Sequence, residues 1–149
     1  MDLSIKHYSE LSKDLFYELA ALRIAVFVIE QNCPYQDLDG LDQDAYHLIL
    51  KDDLKTMGTL RILKPGVAYP EFAIGRVVIH KVARRKDYGN LIMQKAIDFI
   101  QNELKGSDIR ISAQTYLFDF YTNLGFTSTG KEYLEDGIPH VEMLFKKLL

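Results

Sequence analysis

Tryptophan is absent from the 149 residues, and cysteine occurs once, at Cys33. A single cysteine excludes an internal disulfide and a zinc site built of four cysteines. No apolar run approaches the ~20 residues that span a bilayer. The opening MDLSIKHYSE lacks the basic and apolar regions of a secretion signal, so the expectation is a cytoplasmic protein with no membrane partner. A basic excess is also missing. The net charge is -3, which argues against nucleic acid as the main partner. There is no Gly/Ser-rich linker, internal repeat or low-complexity segment. Residues 1–149 therefore read as a single domain, long enough to bury a real core.

What is there is a succession of alternating and helical segments. Residues 3–8 alternate as a short strand, and a helix is expected from the N-cap Ser12 to about residue 31, with Leu15, Leu19, Leu22 and Val26 on one face. Strands are expected over 45–51 and 54–63, joined by a tight Asp52-Asp53 turn, and over 72–80. A helix over 88–104 stops at Gly106. Residues 109–113 read as a strand, 116–123 as a short helix, and 126–133 and 140–146 as two last strands around EDGIP. The order is β-α-β-β-β-α-β-α-β-β. That order implies an α+β (mixed α/β) fold, with helices covering a mixed sheet of about seven strands.

One stretch carries chemistry in its arrangement. In VVIHKVARRKDYGNLIMQKAIDFI an apolar strand runs into Arg84-Arg85-Lys86, then Gly89, then a helical pattern. The first backbone N–H groups of a helix have no acceptor within it, and its dipole is positive at that end. With the flanking cations the site suits a pyrophosphate; the alternative is a solvated basic loop that merely caps a helix.

Arg84-x-x-Asp87-x-Gly89, between a strand and a long helix, resembles the R/Q-x-x-G-x-G/A pyrophosphate loop of GNAT acyltransferases. A second element, Phe120-Tyr121-x-x-x-Gly125-Phe126, is similar to the one on that superfamily's second coenzyme-A-side helix. LRIAVFVIEQNCPYQDLDGLDQDAYH and EDGIPH resemble the ElaA-like branch, and the likeness covers nearly the whole chain. The departures are Asp87 in place of the loop's middle glycine, Gln114 where many members have Asn, and Leu117 where many have Ala.

The resemblance implies transfer of an acetyl group from acetyl-CoA to an amine of a small molecule or peptide, with coenzyme A as product. It places the pantetheine arm along Val77, Val78 and Ile79, with the Val78 N–H as a possible oxyanion donor. The pyrophosphate would lie on Arg84, Arg85, Lys86, Asp87, Tyr88, Gly89 and Asn90, with Gln114 and Phe120 also on the cofactor side. Tyr121 takes the family's place for the acid that protonates the thiolate; the other reading is a packed amphipathic side chain. Glu30 and His47 are the candidate bases, each with a structural alternative as a loop anchor or a hydrogen-bonded residue of a sheet face. Gln31, Arg76 and His140 are assigned to the acceptor site. Arg76 could instead pair with Glu30 or Asp37, and His140 could anchor the EDGIP turn.

Asp37, Asp39, Asp42 and Asp44 fall within eight positions. They read either as a solvated turn-rich surface or as an attractor for a cationic acceptor. Their spacing does not fit an EF-hand, so no metal is expected. Two alternatives remain at this level: a non-catalytic acyl-CoA-binding module, which Asp87 favours, and an enzyme akin to acyl-homoserine-lactone synthases, which Arg23-x-x-x-Phe27 resembles. The last residues, LFKKLL, could pair across a homodimer.

Overall fold

The computed structural model describes residues 1–147. Seven strands form one sheet: β1 (Asp2–His7), β2 (Tyr46–Asp52), β3 (Lys55–Leu63), β4 (Phe72–Ile79), β5 (Ile109–Gln114), β6 (Thr127–Glu135) and β7 (Ile138–Phe145). Their order across the sheet is β1-β2-β3-β4-β5-β7-β6, with the β4–β5 pair parallel and the other pairs antiparallel. This is the expected mixed fold. Helices α1 (Lys13–Ile24), α2 (Tyr88–Asp98) and α3 (Phe118–Asn123) complete it. The first two run on as π-helical segments, Ala25–Glu30 and Phe99–Glu103. No described helix is long and apolar enough to cross a membrane.

Period-two alternation divides the side chains between two faces. Leu48, Leu50, Leu60, Ile62 and Ile74 meet Ile92, Met93, Ala96 and Ile97 of α2. Each fully buried Leu, Ile or Met among them contributes roughly 1.5–3 kcal/mol. On the opposite face Leu22 and Val26 of the first helix pack on Val78. Ser12 caps α1 as expected, its Oγ accepting the Leu15 N–H at 3.1 Å.

β4 contains the irregularity that shapes the molecule. Gly75 pairs with Arg61, but Val78 pairs with Thr59, so β4 holds one residue more than β3 across this step. Arg76 takes a left-handed φ of 52° there, the mark of a bulge. The extra residue reverses parity: Phe72 and Ile74 face the α2 core before it, Val77 and Ile79 after it. β4 pairs with β5 only at Phe72–Ile109 and Ala73–Arg110, and beyond these the strands part.

β7 is hydrogen-bonded on both sides, to β5 and β6, so it cannot pair across a dimer as expected for LFKKLL. The free edges of the sheet are β1 and β6. Residues 148–149 of that stretch lie outside the described residues.

Candidate active site

The parting of β4 from β5 opens a cavity of about 590 Å³, closed on one side by the π-helical end of the first helix and on the other by the β6–β7 turn. Val77, Val78 and Ile79 line it, as do Arg84 and Gln114. Antiparallel ladders bond alternate residues on one side of a strand. The His80 N–H donates to the Met57 carbonyl of β3 at 2.7 Å, and Val78 stands two residues earlier in the same register. The Val78 amide therefore belongs to the β3 ladder and is not an oxyanion donor. Ile79 presents its backbone to the gap, where its carbonyl accepts from Arg84 Nε at 3.2 Å.

At one end of the cavity Arg84 leads into a turn in which Arg85 and Asp87 both adopt left-handed φ values, 67° and 63°. Asp87 is the residue before the first turn of α2. The left-handed conformation explains why glycine suits this position, and aspartate is among the few other residues that tolerate it. Its carboxylate is turned onto Asn90, whose Nδ2 donates to it at 2.6 Å. Lys86 lies within the turn, and Tyr88, Gly89 and Asn90 form the first helical turn. A Cβ on Gly89 would come within 3.3 Å of Phe120 Cζ. The close neighbour of Gly89 is thus a side chain of α3, and Phe120 sits behind the turn.

Glu30 and Arg84 tie the first helix to this turn. Arg84 Nη1 and Nη2 donate to the two Glu30 carboxylate oxygens at 2.6 and 2.9 Å. These bonds hold the Glu30 carboxyl below its ordinary range, with burial opposing and the charge of Arg84 adding to them. A carboxylate so engaged accepts protons poorly, which corrects the expectation that Glu30 is a base. His47 is corrected too. It is buried at 1% exposure, does not line the cavity, packs among Tyr8 and Phe16, and has Nε2 3.0 Å from the Asp42 carbonyl. Burial, the largest cause, lowers its pKa.

Tyr121 of α3 lines the cavity at 7% exposure. Burial first, and the neighbouring Tyr116 second, push its phenol up to about 12. Gln31 and Gln114 meet across the cavity, Nε2 of Gln114 donating to Oε1 of Gln31 at 3.3 Å. His140 lines the opposite wall with Nδ1 2.7 Å from the Ile138 carbonyl oxygen.

The acidic loop is neither a solvated surface nor a free cation attractor. Arg23 of α1, 1% exposed, donates through Nε to Asp37 at 2.9 Å and through Nη1 to Asp42 at 2.8 Å. Arg61 of β3 binds Asp39 through both terminal nitrogens, at 2.8 and 2.7 Å, and reaches Asp42 at 3.1 Å. Arg76, at the bulge, faces Asp37 at 3.0 Å and Asp39 at 3.2 Å. The expected Asp37 pairing of Arg76 is the one found. Only Asp44 of the four is largely exposed, at 78%. Three arginines thus neutralise three aspartates and pin the bulge to the loop. Among the described residues no group of three or more His, Cys, Asp or Glu could hold a metal ion.

Sequence reasoning overlooked Arg23 and Arg61 in this role. The signal was present: Arg23 lies four residues after Leu19 on the apolar face, and Arg61 sits between Leu60 and Ile62. A cation on a core face requires a buried anion. Glu135, Asp136 and Ser112 also line the cavity and were not singled out.

Residues 12–147 match the family described as "Acetyltransferase (GNAT) domain". The chain is 38% identical to Protein ElaA of Escherichia coli over 139 residues, 92% of this chain and 91% of that protein. Among solved structures it is similar to an acyl-CoA N-acyltransferase from Pseudomonas aeruginosa (TM-score 0.91, 37% identity, 97% of this chain and 99% of that one). It is likewise similar to E. coli ElaA (TM-score 0.89, 35% identity, 98% and 100%). The AHL synthase LasI shares the fold alone, at 16% identity and TM-score 0.78.

Proposed function

The chain belongs to the GNAT acetyltransferase family, and from that premise we propose that it transfers an acetyl group from acetyl-CoA to a primary amine of a small molecule or peptide. The observation that carries this reading is the gap between β4 and β5, which opens directly onto the basic, left-handed turn at the start of α2. An extended pantetheine arm needs an unpaired strand edge, and β4 has one beyond Ala73. A pyrophosphate needs converging N–H groups and cations, and residues 84–90 combine a helix N-terminus with Arg85 and Lys86. The donor thus fits the residues present.

With the Val78 amide engaged in the sheet, the amides of Val77 and Ile79 flank it on the gap side. Ile79 would pair with the pantetheine arm, and Val77 would donate to the thioester oxygen as charge develops. The amine nitrogen attacks the carbonyl carbon, the C–S bond breaks, and its electron pair leaves on sulfur. Tyr121 donates a hydrogen bond to that sulfur. Full transfer of its proton would be uphill, since thiols titrate near ~8.5, well below the raised phenol. The proton that ends on sulfur comes from the nitrogen.

Asp87, the residue that favoured a non-catalytic module, has its carboxylate bonded to Asn90, which is why the catalytic reading is preferred. The test is acetyl-CoA binding by calorimetry for wild type and Arg85→Glu, with thiol release measured against a panel of amines. Arg85→Glu is cleaner than a change at Gly89, where any side chain would also press on Phe120. We expect wild-type binding that weakens at least tenfold in the variant; equal affinities would remove the turn from the donor site.

A further inference from the structure

The donor half of the cavity leaves the proton of the acceptor without a destination, since Glu30 and His47 are otherwise engaged. The other half is walled by β5, β7 and the β6–β7 turn. There His140 has a side chain only 7% exposed. Its Nδ1 lies 2.7 Å from the Ile138 carbonyl oxygen. A carbonyl only accepts, so Nδ1 carries the hydrogen, and Nε2 is the atom left to exchange a proton, holding the lone pair in the neutral ring and facing Glu135 as a donor in the charged one. Tyr133 of β6 stacks on the ring at 6.0 Å, with Lys131 beyond it, and Gln114 stands opposite on β5. The Tyr133 hydroxyl is in turn hydrogen-bonded to Ser112. The ring is therefore fixed in orientation and tautomer, with one basic atom left over.

The Glu135 carboxylate stands 3.3 Å from that atom and is 53% exposed. Asp136 follows it in the turn and also lines the cavity. The arginines of the cavity wall are matched elsewhere, Arg84 by Glu30 and Arg61 and Arg76 by the acidic loop. Among the described residues neither Glu135 nor Asp136 has a lysine or arginine within ion-pair distance.

The geometry points to His140 Nε2 as the proton acceptor of the reaction, and to the β6–β7 turn as the subsite for a small primary amine that bears a second positive charge. The inference rests on the acyl-transfer reading. Glu135 receives the ammonium group that will react, and Asp136 the second cation. His140 Nε2 takes one proton from the reacting nitrogen and frees its lone pair. The C–N bond then forms, the C–S pair leaves on sulfur, and the second nitrogen proton ends on the thiolate beside Tyr121. Glu135 stabilises the imidazolium until its proton passes to solvent, so each turnover releases one proton.

The probe is propane-1,3-diamine, compared with propylamine, on the protein saturated with coenzyme A. The His140 ring nitrogens are followed by NMR. We expect the wild-type ring signals to show hydrogen on Nδ1 and to move with the diamine, and with propylamine only at concentrations at least tenfold higher. Glu135→Gln, an exposed change, should weaken diamine binding about tenfold and leave coenzyme A affinity unaltered. With acetyl-CoA, His140→Ala should lower kcat with the diamine roughly 100-fold at little change in KM, and added imidazole should restore part of the loss. Ring signals that ignore the diamine, or a Glu135→Gln variant that binds it as wild type does, would overturn the inference. A wild type without affinity for coenzyme A would instead sink the acyl-transfer reading.

Discussion

Tyr121 shows how a residue's setting limits its role. A phenol pushed up to about 12 by burial stays protonated across the physiological range and acts as a hydrogen-bond donor. A hydrogen bond to a charged group contributes about 1.5–3 kcal/mol. Tyr121→Phe should therefore lower kcat roughly 10- to 100-fold, leave the KM for acetyl-CoA near wild type, and leave the pH–rate profile unchanged in shape. Steady-state kinetics across pH check this, and an undiminished kcat would remove Tyr121 from the reaction. Asp87 offers a second test. Its left-handed backbone, which aspartate tolerates, still costs more than it would for glycine, and its charge would repel a pyrophosphate. Two like charges about 4 Å apart in water repel by about 1 kcal/mol. Asp87→Gly should bind acetyl-CoA about fivefold more tightly, as read by calorimetry, even though it loses the Asn90 contact.

At the scale of elements, the arginine–aspartate network joins α1, the loop before β2, β3 and the bulge in β4. Removing one partner of a buried ion pair costs about 3–5 kcal/mol, because the other charge stays buried alone. Asp37→Asn, at a side chain 2% exposed, should cost that much in urea unfolding. It should also weaken acetyl-CoA binding, since Arg76 would lose one of the two carboxylates that hold it at the bulge. Unchanged stability would mean that the loop and bulge hold their places without it. The pH dependence has a definite sign. Burial alone would raise the Asp39 and Asp42 pKa values, but hydrogen bonds and charge from Arg61 and Arg23 outweigh it and lower both. A group lowered in the folded state binds fewer protons there than in the unfolded chain. Its contribution is present above the unfolded value, ~3.9 for Asp, and is lost as pH falls below it. His47, lowered chiefly by burial, has the same sign in a higher window, below ~6.5. The urea midpoint should thus decline in two stages, gently from about pH 6.5 and steeply below about pH 4. His47→Gln should remove the upper stage alone.

For the whole molecule, the missing pairing between β4 and β5 is a structural weakness that the acyl donor would bridge. A ligand at about 100 times its Kd stabilises the fold by about 2.7 kcal/mol, which for a chain of this length raises Tm by roughly 5–10 °C. Thermal unfolding with acetyl-CoA should show that rise, and no rise at saturating concentration would contradict a donor site in the gap. Much of this architecture is legible in the residues. The apolar runs of β2 and β3, the Ser12 cap and the strand–turn–helix order around Arg84 depend on neighbours in sequence, so the element order follows from local pattern and the proposed donor side from the family motif. The acceptor side does not. Asp37 and Asp42 look like a solvated acidic stretch until α1 and β3 bring Arg23 and Arg61 to them, and Glu30 looks like a base until Arg84, 54 residues away, takes both its oxygens. The Val78 amide could be assigned only from the ladder to β3, because one extra residue in a bulge shifts the pattern that follows it. By itself the sequence determined the elements, their order and the basic turn before the second helix, since local spacing dictates these. Only the tertiary structure decided which charges are already neutralised and which remain at the cavity wall, because ion pairing depends on distance in space.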